Sequence, residues 1–351
     1  MTVAYSKVIL TGGTGWLGRR LARALTHGLK ELGSVGEGGK ALKCLVLPGE
    51  DASELLELGA EVVYGDIVDT DACLELMRDG ENSLVIHTAG LIHPRLFVKE
   101  FTTVNVNGTL NLLNAAATNK STRMVVVSSN SPFGCNPFPG QSFTEVSPYN
   151  PYMGYGKSKQ KMEEALLEAM KYQEYPTLTI IRPPWFYGQG QPTRQTDFFR
   201  MLKNGKFPLM GKGLNQRSMV FVDSLALGVL LAGYRAKAAG EIYWIADERP
   251  YTMLEIADTI KSVLSEDFDF NVKPKNLHVP AIISDVARLM DGSLQAIGIY
   301  HQKLHVLSEM NQTISCNISK AKRDLGYKPL CELREGMYRS IDWCLKNGQE
   351  I

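Results

Sequence analysis

Tyr155 and Lys159, in the run Tyr155-Gly156-Lys157-Ser158-Lys159, stand four residues apart, a spacing that returns both side chains to one face of a helix. A phenol and an ammonium then share one site. A positive charge beside a phenol favours phenolate and lowers its pKa, which equips a tyrosine to exchange a proton with a substrate hydroxyl near neutral pH. A hydroxyl that could hold the reacting oxygen follows the apolar run Arg123-Met124-Val125-Val126-Val127, which ends in Ser128-Ser129. Such a run reads as a buried parallel strand, and ligands of open α/β sheets sit at the carboxyl ends of strands.

Chemistry of this kind needs a partner for the reacting carbon, and the amino-terminal residues suggest one. Lys7-Val8-Ile9-Leu10 reads as a buried strand that runs into Thr11-Gly12-Gly13-Thr14-Gly15-Trp16-Leu17-Gly18, after which Leu17, Leu21 and Leu25 recur at helical spacing. A strand, a glycine turn and a helix aim free backbone N–H groups and the positive helix end at a pyrophosphate. Gly12, Gly15 and Gly18 satisfy GxxGxxG, whereas Gly13, Gly15 and Gly18 satisfy GxGxxG. The glycine pattern does not choose between them.

Together these segments resemble the extended short-chain dehydrogenase/reductases, the superfamily of NAD-dependent epimerases, dehydratases and 3β-hydroxysteroid dehydrogenase relatives, over nearly the whole chain. The resemblance implies a cofactor site made by Gly12, Gly15, Trp16, Leu17 and Gly18, by Asp66 and Ile67 of Gly65-Asp66-Ile67, by Thr88, Ala89 and Gly90 after His87, and by Lys159 and Pro183. It implies a catalytic set of Ser129, Tyr155, Lys159 and Asn105, with Asn105 holding a helix distortion or a water chain. Ser129 is the better match for the serine because it lies five residues before Gly134; Phe133 replaces the family's tyrosine there. His93, Ser131, Trp185 and Arg217 are the expected substrate contacts. Ser319 to Pro329 resembles the extended group's closing helix and turn.

The elements that must position these groups read as alternating strands and helices up to about residue 183. Apolar runs at Leu45–Leu47, Val62–Tyr64, Leu84–Ile86, Val125–Val127 and Leu178–Ile181 follow the first strand. That order predicts an α/β fold, a doubly wound parallel sheet of Rossmann type over residues 1–183, with a smaller carboxy-terminal substrate-binding lobe over 184–351. A later strand near 241–246 is a candidate to return to the sheet. Gly28 to Lys40 reads as a loop, and Val220-Phe221-Val222-Asp223 as a strand.

The 351 residues suffice for a large core, and 38 basic against 37 acidic side chains give no sign of nucleic-acid or membrane-surface binding. Six scattered cysteines without a CxxC pair support neither a metal site nor a redox motif. The expected setting is cytoplasmic, with a small-molecule substrate, no nucleic-acid or membrane partner, and a homodimer as candidate assembly. NAD is the expected cofactor and NADP stays open, because the strand-two end, Leu45-Val46-Leu47-Pro48-Gly49-Glu50-Asp51, lacks both the usual first aspartate and an arginine. Arg19 and Arg20 stand near enough in sequence to meet a phosphate.

Two substrate readings follow. The stretch with Ile282, Ile283, Val286, Leu289, Met290, Leu294 and Ile297, apolar at helical spacing, resembles the hydrophobic lobe of 3β-hydroxysteroid dehydrogenase relatives, or forms an ordinary core or dimer helix. It places hydride transfer at a bulky secondary alcohol or ketone first. Gln216 to Asp223 resembles nucleotide-sugar 4-epimerases, in which an arginine such as Arg217 grips the diphosphate. Asn130-Ser131, standing where dehydratases carry an acidic pair, argues against elimination. A dinucleotide-sensing module without catalysis is the third reading.

Overall fold

The computed structural model describes residues 3–138 and 140–351. Strands β1 (Val8–Thr11), β2 (Leu42–Val46), β3 (Glu61–Tyr64), β4 (Leu84–His87), β5 (Arg123–Val127) and β6 (Thr177–Arg182) form one parallel sheet with a seventh strand, Ile242–Trp244. Across the sheet the order is the seventh strand, β6, β5, β4, β1, β2, β3. Strands covered on both faces read as nearly continuous apolar runs. Alternate residues accordingly face two cores: Leu10, Ile86 and Val125 one, and Ile9, Val85 and Val126 the other.

Strand order reverses between β1 and β4, which opens a crevice at their carboxyl ends. Thr11 pairs in register with His87. The His87 ring bridges the hydroxyls of Thr11, at 2.7 Å, and Thr109, at 2.8 Å, and burial pushes its pKa down to about 3. A neutral imidazole thus ties the switch point to the helix Thr109–Thr118.

The helix Met153–Ala169, which carries Tyr155 and Lys159, is fixed to the sheet by a buried ion pair. Arg182, the last residue of β6, places Nη2 2.6 Å and Nε 3.1 Å from Oε2 of Glu163. Arg182 also donates to the Glu145 carbonyl at 3.0 Å and lies 4.3 Å from the Phe133 ring centroid, while the Tyr149 hydroxyl donates to Glu163. The Phe133 ring thus offers its face to the guanidinium, a cation–π contact that does not need a hydroxyl.

A third core, drawn from the carboxy-terminal half of the chain, includes Tyr187, Phe199, Phe221, Ile256, Met337 and Ile341. Its boundary with the sheet is not a single point in the chain. The expected strand at 220–223 is corrected here: the strand is Met219–Phe221, and Val222 opens the helix Val222–Tyr234. That segment is buried on nearly every side against the sheet, so a helix satisfies its backbone where a lone strand would not. Gly28 to Lys40 is likewise not all loop, because Lys30–Gly36 forms 3-10 turns.

A further correction concerns the helix Ile282–Ala296, where Ile282, Ile283, Val286, Leu289 and Met290 are exposed rather than in the core, while Ala287 is buried and Leu294 half-buried. Its inner face is polar. Ser284 donates to the carbonyls of Leu307 and Ser308, Asp291 accepts from His305 at 2.8 Å, and Gln295 accepts from the Gly154 N–H. Partners on the helix Gln302–Glu309 satisfy those polar groups, which turns the apolar residues away.

Removing one partner of a buried ion pair strands the other charge in a low-dielectric interior. Glu163→Gln is expected to lower unfolding stability by about 3–5 kcal/mol, measured by urea denaturation; an unchanged midpoint would show that Glu145 and Phe133 hold Arg182 without it.

Candidate functional site

Steric contacts decide between the two glycine patterns. Gly12 adopts φ +73°, and a Cβ there would fall 2.6 Å from the Ala89 nitrogen and 2.7 Å from Thr88 Oγ1. A Cβ on Gly18 would lie 1.9 Å from the Gly12 carbonyl oxygen, whereas one on Gly13 would meet only side-chain atoms, Leu55 at 3.1 Å and Cys44 Sγ at 3.4 Å. The demanding positions are Gly12 and Gly18. Gly15 caps the helix α1 (Trp16–Thr26), which has no side-chain cap and no acid in its first turn. Its leading N–H groups, those of Trp16 and Leu17 among them, are thereby suited to a phosphate. The Trp16 indole donates to the Gln189 carbonyl at 2.6 Å and packs on Phe186, linking the turn to the second lobe.

The crevice floor is built by equally local contacts. Thr88 Oγ1 donates to the Thr11 carbonyl at 2.8 Å. Asp66 accepts from the Val68 N–H at 3.0 Å, and Asn111 donates to the carbonyls of Ile67 and Val68. At the end of β2, Glu50 accepts from Thr14 Oγ1 at 2.5 Å and so sits over the glycine turn. Neither nearby arginine is free: Arg20 makes two bonds to buried Asp223, at 2.6 and 2.8 Å, and Arg19 lies 3.5 Å from Glu54.

Around the catalytic helix, Ser129, Tyr155, Lys159 and Asn105 come together. Burial raises the Tyr155 phenol to about 12, against a smaller lowering by its hydrogen bond with Ser129. The net shift is therefore upward, opposite to the expected lowering, because desolvation outweighs the groups that favour phenolate. Lys159 Nζ donates to the Val127 carbonyl at 3.2 Å and lies 3.4 Å from where a Cβ on Gly90 would stand. Burial lowers its own pKa to about 8, with Glu163 opposing.

Asn105 lies in the π-helical turn Thr103–Gly108. Its side chain accepts from the Leu91 N–H at 2.7 Å and donates to the Leu91 carbonyl and to Ser158 Oγ, clamping the loop after Gly90 to the catalytic helix. Ser129 Oγ accepts from the Ser131 N–H and lies 3.2 Å from Ser131 Oγ, while the Asn130 N–H bonds the Pro183 carbonyl. The Ser128 hydroxyl is buried without a partner among the described residues.

The substrate side is less concentrated. His93 lies 2.6 Å from the Tyr300 hydroxyl, and burial, with help from Arg194 and His305, lowers its pKa to about 4. Tyr300 and Tyr155 both pack on Phe101, at 5.6 and 5.8 Å. Trp185 packs instead on Phe198 of the second lobe. Arg217 donates to the Glu309 carbonyl and has no carboxylate within 4 Å among the described residues. Sequence reading missed Phe101, Tyr300 and Arg194. No spacing marks Tyr300, which arrives through its backbone bond to Leu96 across some two hundred residues. Among the described residues no cluster of His, Cys, Asp and Glu could hold a metal ion.

Lys159 links charge to stability. In the unfolded chain its pKa is near 10.5 and in the folded protein about 8, so between those values the unfolded state binds more protons and stability rises with pH. Below pH 8 the folded state carries the full desolvation cost. Lys159→Met in the cofactor-free protein is expected to gain up to roughly 3 kcal/mol at pH 7 and to lose the rise above pH 8, read by chemical unfolding across pH; an unchanged pH profile would place the ammonium in solvent.

Comparison with known proteins places this geometry among relatives. A profile of the NAD dependent epimerase/dehydratase family matches residues 8–246. The chain is 50% identical over 344 residues to the protein y4nL of Sinorhizobium fredii, covering 98% of this chain and 96% of that one. It is 25% identical to the 4-hydroxy-2-methyl-3-oxo-4-farnesyl-3,4-dihydroquinoline-1-oxide ketoreductase of Stigmatella aurantiaca, over 94% of each chain. In fold it is similar to the UDP-glucose 4-epimerase of Thermotoga maritima, solved with UDP-glucose, at 18% identity and a TM-score of 0.74, covering 97% of this chain and 99% of that one.

Proposed function

The chain belongs to the NAD dependent epimerase/dehydratase family, as an enzyme of the extended short-chain dehydrogenase/reductase type, and from that premise we propose that it reduces a ketone, or oxidises the corresponding secondary alcohol, with NAD. The observation that carries this reading is the meeting of Ser129, Tyr155 and Lys159 beside Gly90, at the carboxyl end of the sheet and next to the glycine turn. The dinucleotide, when bound, supplies or accepts the hydride. Gly12, Gly15, Gly18 and the α1 N-terminus would hold its pyrophosphate, and Asp66 its adenine end. NAD is favoured over NADP because Glu50 stands over the turn and both Arg19 and Arg20 are engaged by carboxylates.

In the reductive direction Ser129 holds the carbonyl oxygen by a hydrogen bond and Tyr155 donates its proton to the oxygen as negative charge develops there. A phenol raised to about 12 is protonated at neutral pH, which suits the acid role. Lys159 stabilises the phenolate left behind and can return a proton to it. Elimination is not supported, because Asn130 and Ser131 offer no acid at the positions after Ser129.

For the substrate, the aromatic wall of Phe101 and Tyr300 beside Tyr155 favours an apolar or polyfunctional ketone, and the ketoreductase relative acts on a farnesylated one. The second lobe, residues 184–351 apart from the segments that join the sheet, would supply the rest of the pocket. One observation favours a nucleotide-sugar 4-epimerase instead: Arg217 is a half-buried cation with no carboxylate within 4 Å among the described residues, as a diphosphate would require.

Tyr155→Phe should retain NAD binding, tighter than NADP by calorimetry, and lose turnover by at least about a hundredfold; near-normal turnover would remove Tyr155 from the mechanism. The substrate classes separate by thermal shift. Uridine and thymidine diphosphates should leave the melting temperature of the holoenzyme unchanged while long-chain or steroid-like ketones raise it. A rise with a nucleoside diphosphate that disappears in Arg217→Ala would replace the ketone reading with the epimerase.

A further inference from the structure

The helix Ile282–Ala296 is inside out. Ser284 and Asp291 have no exposed surface, whereas Leu289 is 74% exposed and Ile282 65%. Val286 and Met290 share that outer face, and Ile297 extends it. Beside it, backbone bonds of Val98 to Gly298 and of Tyr300 to Leu96 bring in two more exposed apolar side chains, Leu96 and Phe97. A folded chain leaves so continuous an apolar surface in water only where something else covers it.

We propose that this face docks on an anionic lipid bilayer, with the helix lying in the headgroup region. Charge at its rim selects that occupant. Arg95, Lys99 and Lys303 are exposed and have no carboxylate within 4 Å among the described residues, while the nearby acids are Asp285 and Glu100, the latter accepting from the Phe97 N–H. An amphipathic surface helix flanked by cations binds by burying its apolar face and attracting anionic headgroups. A second copy of this chain fits less well, because a two-fold contact sets the same patch against itself and brings like cations together. The near-zero charge of the whole chain averages over this local excess.

The face also borders the chemistry. A shallow groove runs between Leu289, Gly292 and Ala296 on one side and Met153, two residues before Tyr155, on the other. A Cβ on Gly292 would lie 3.3 Å from Met153 Cε. A lipid-embedded molecule would therefore meet the protein next to the catalytic helix.

The test is sedimentation of the NAD-loaded protein with vesicles of phosphatidylcholine alone or mixed with phosphatidylglycerol. Wild-type protein should pellet with the mixed vesicles, less with neutral ones, and less at high salt. Leu289→Glu and, independently, Ile297→Glu should each reduce binding by at least about tenfold, and the paired Lys99→Gln, Lys303→Gln variant should weaken binding to anionic vesicles alone. These positions are exposed, so melting temperature and NAD affinity should be unchanged. Failure of the wild-type protein to bind the mixed vesicles, or binding by both glutamate variants as strong as the wild type's, overturns the proposal. So does a wild-type dimer, seen by sedimentation velocity, that Leu289→Glu converts to monomer in a protein that ignores vesicles.

Discussion

Arg182 and Glu163 meet where a strand end and a helix must be held at one fixed angle, and both are removed from water. A buried pair of opposite charges contributes little net stability relative to apolar packing, yet it is highly specific in geometry, because any displacement leaves an unpaired charge in a low dielectric. Glu163 stands four residues after Lys159, one turn along the same face, so the pair that fixes the helix also fixes the lysine beneath the sheet end. The same guanidinium packs on Phe133, and Asn130 bonds Pro183 just beyond it, so that the Ser129 loop and the segment after β6 are set by one cluster.

Around that fixed helix, burial acts on two titrating groups in opposite directions. It penalises phenolate at Tyr155 and ammonium at Lys159, moving one up to about 12 and the other down to about 8. Each shift follows from the loss of water around a charged form. The resting site thus holds a protonated phenol beside a lysine whose charge is costly, an arrangement that favours whatever reaction leaves negative charge near the amine. Asn105 keeps the loop after Gly90 in place through a helix distortion, whose extra residue per turn frees its side chain to reach Leu91 and Ser158.

The second lobe obeys a different logic. From this half of the chain Tyr300 reaches His93, and Arg217 reaches the Glu309 carbonyl, both on segments placed by long-range backbone pairing. The Asp291–His305 pair, stacked under Tyr152, draws the polar face of the helix Ile282–Ala296 inward. The hydrophobic residues of that helix are outside because its hydrogen-bonding residues have better partners within.

Much of this protein is written in short-range pattern. Apolar runs ending in Thr11, His87 and Val127 specify buried parallel strands, and the glycine turn followed by Leu17, Leu21 and Leu25 specifies the strand–turn–helix unit, because period and sterics act over a few residues. The pairing of Tyr155 with Lys159 on one helical face is local for the same reason. Periodicity, however, says only that a helix has two faces and not which one is buried: the apolar stripe from Ile282 to Ile297 has one spacing whether it meets a core or solvent. Nor does spacing show which of two overlapping glycine patterns bears the close approach, since the atoms that crowd Gly12 belong to Thr88 and Ala89. Where Lys159 directs its charge, how burial moves each proton, and which distant tyrosine faces His93 were decided only by the tertiary structure, because desolvation and long-range contact depend on neighbours far away in the chain.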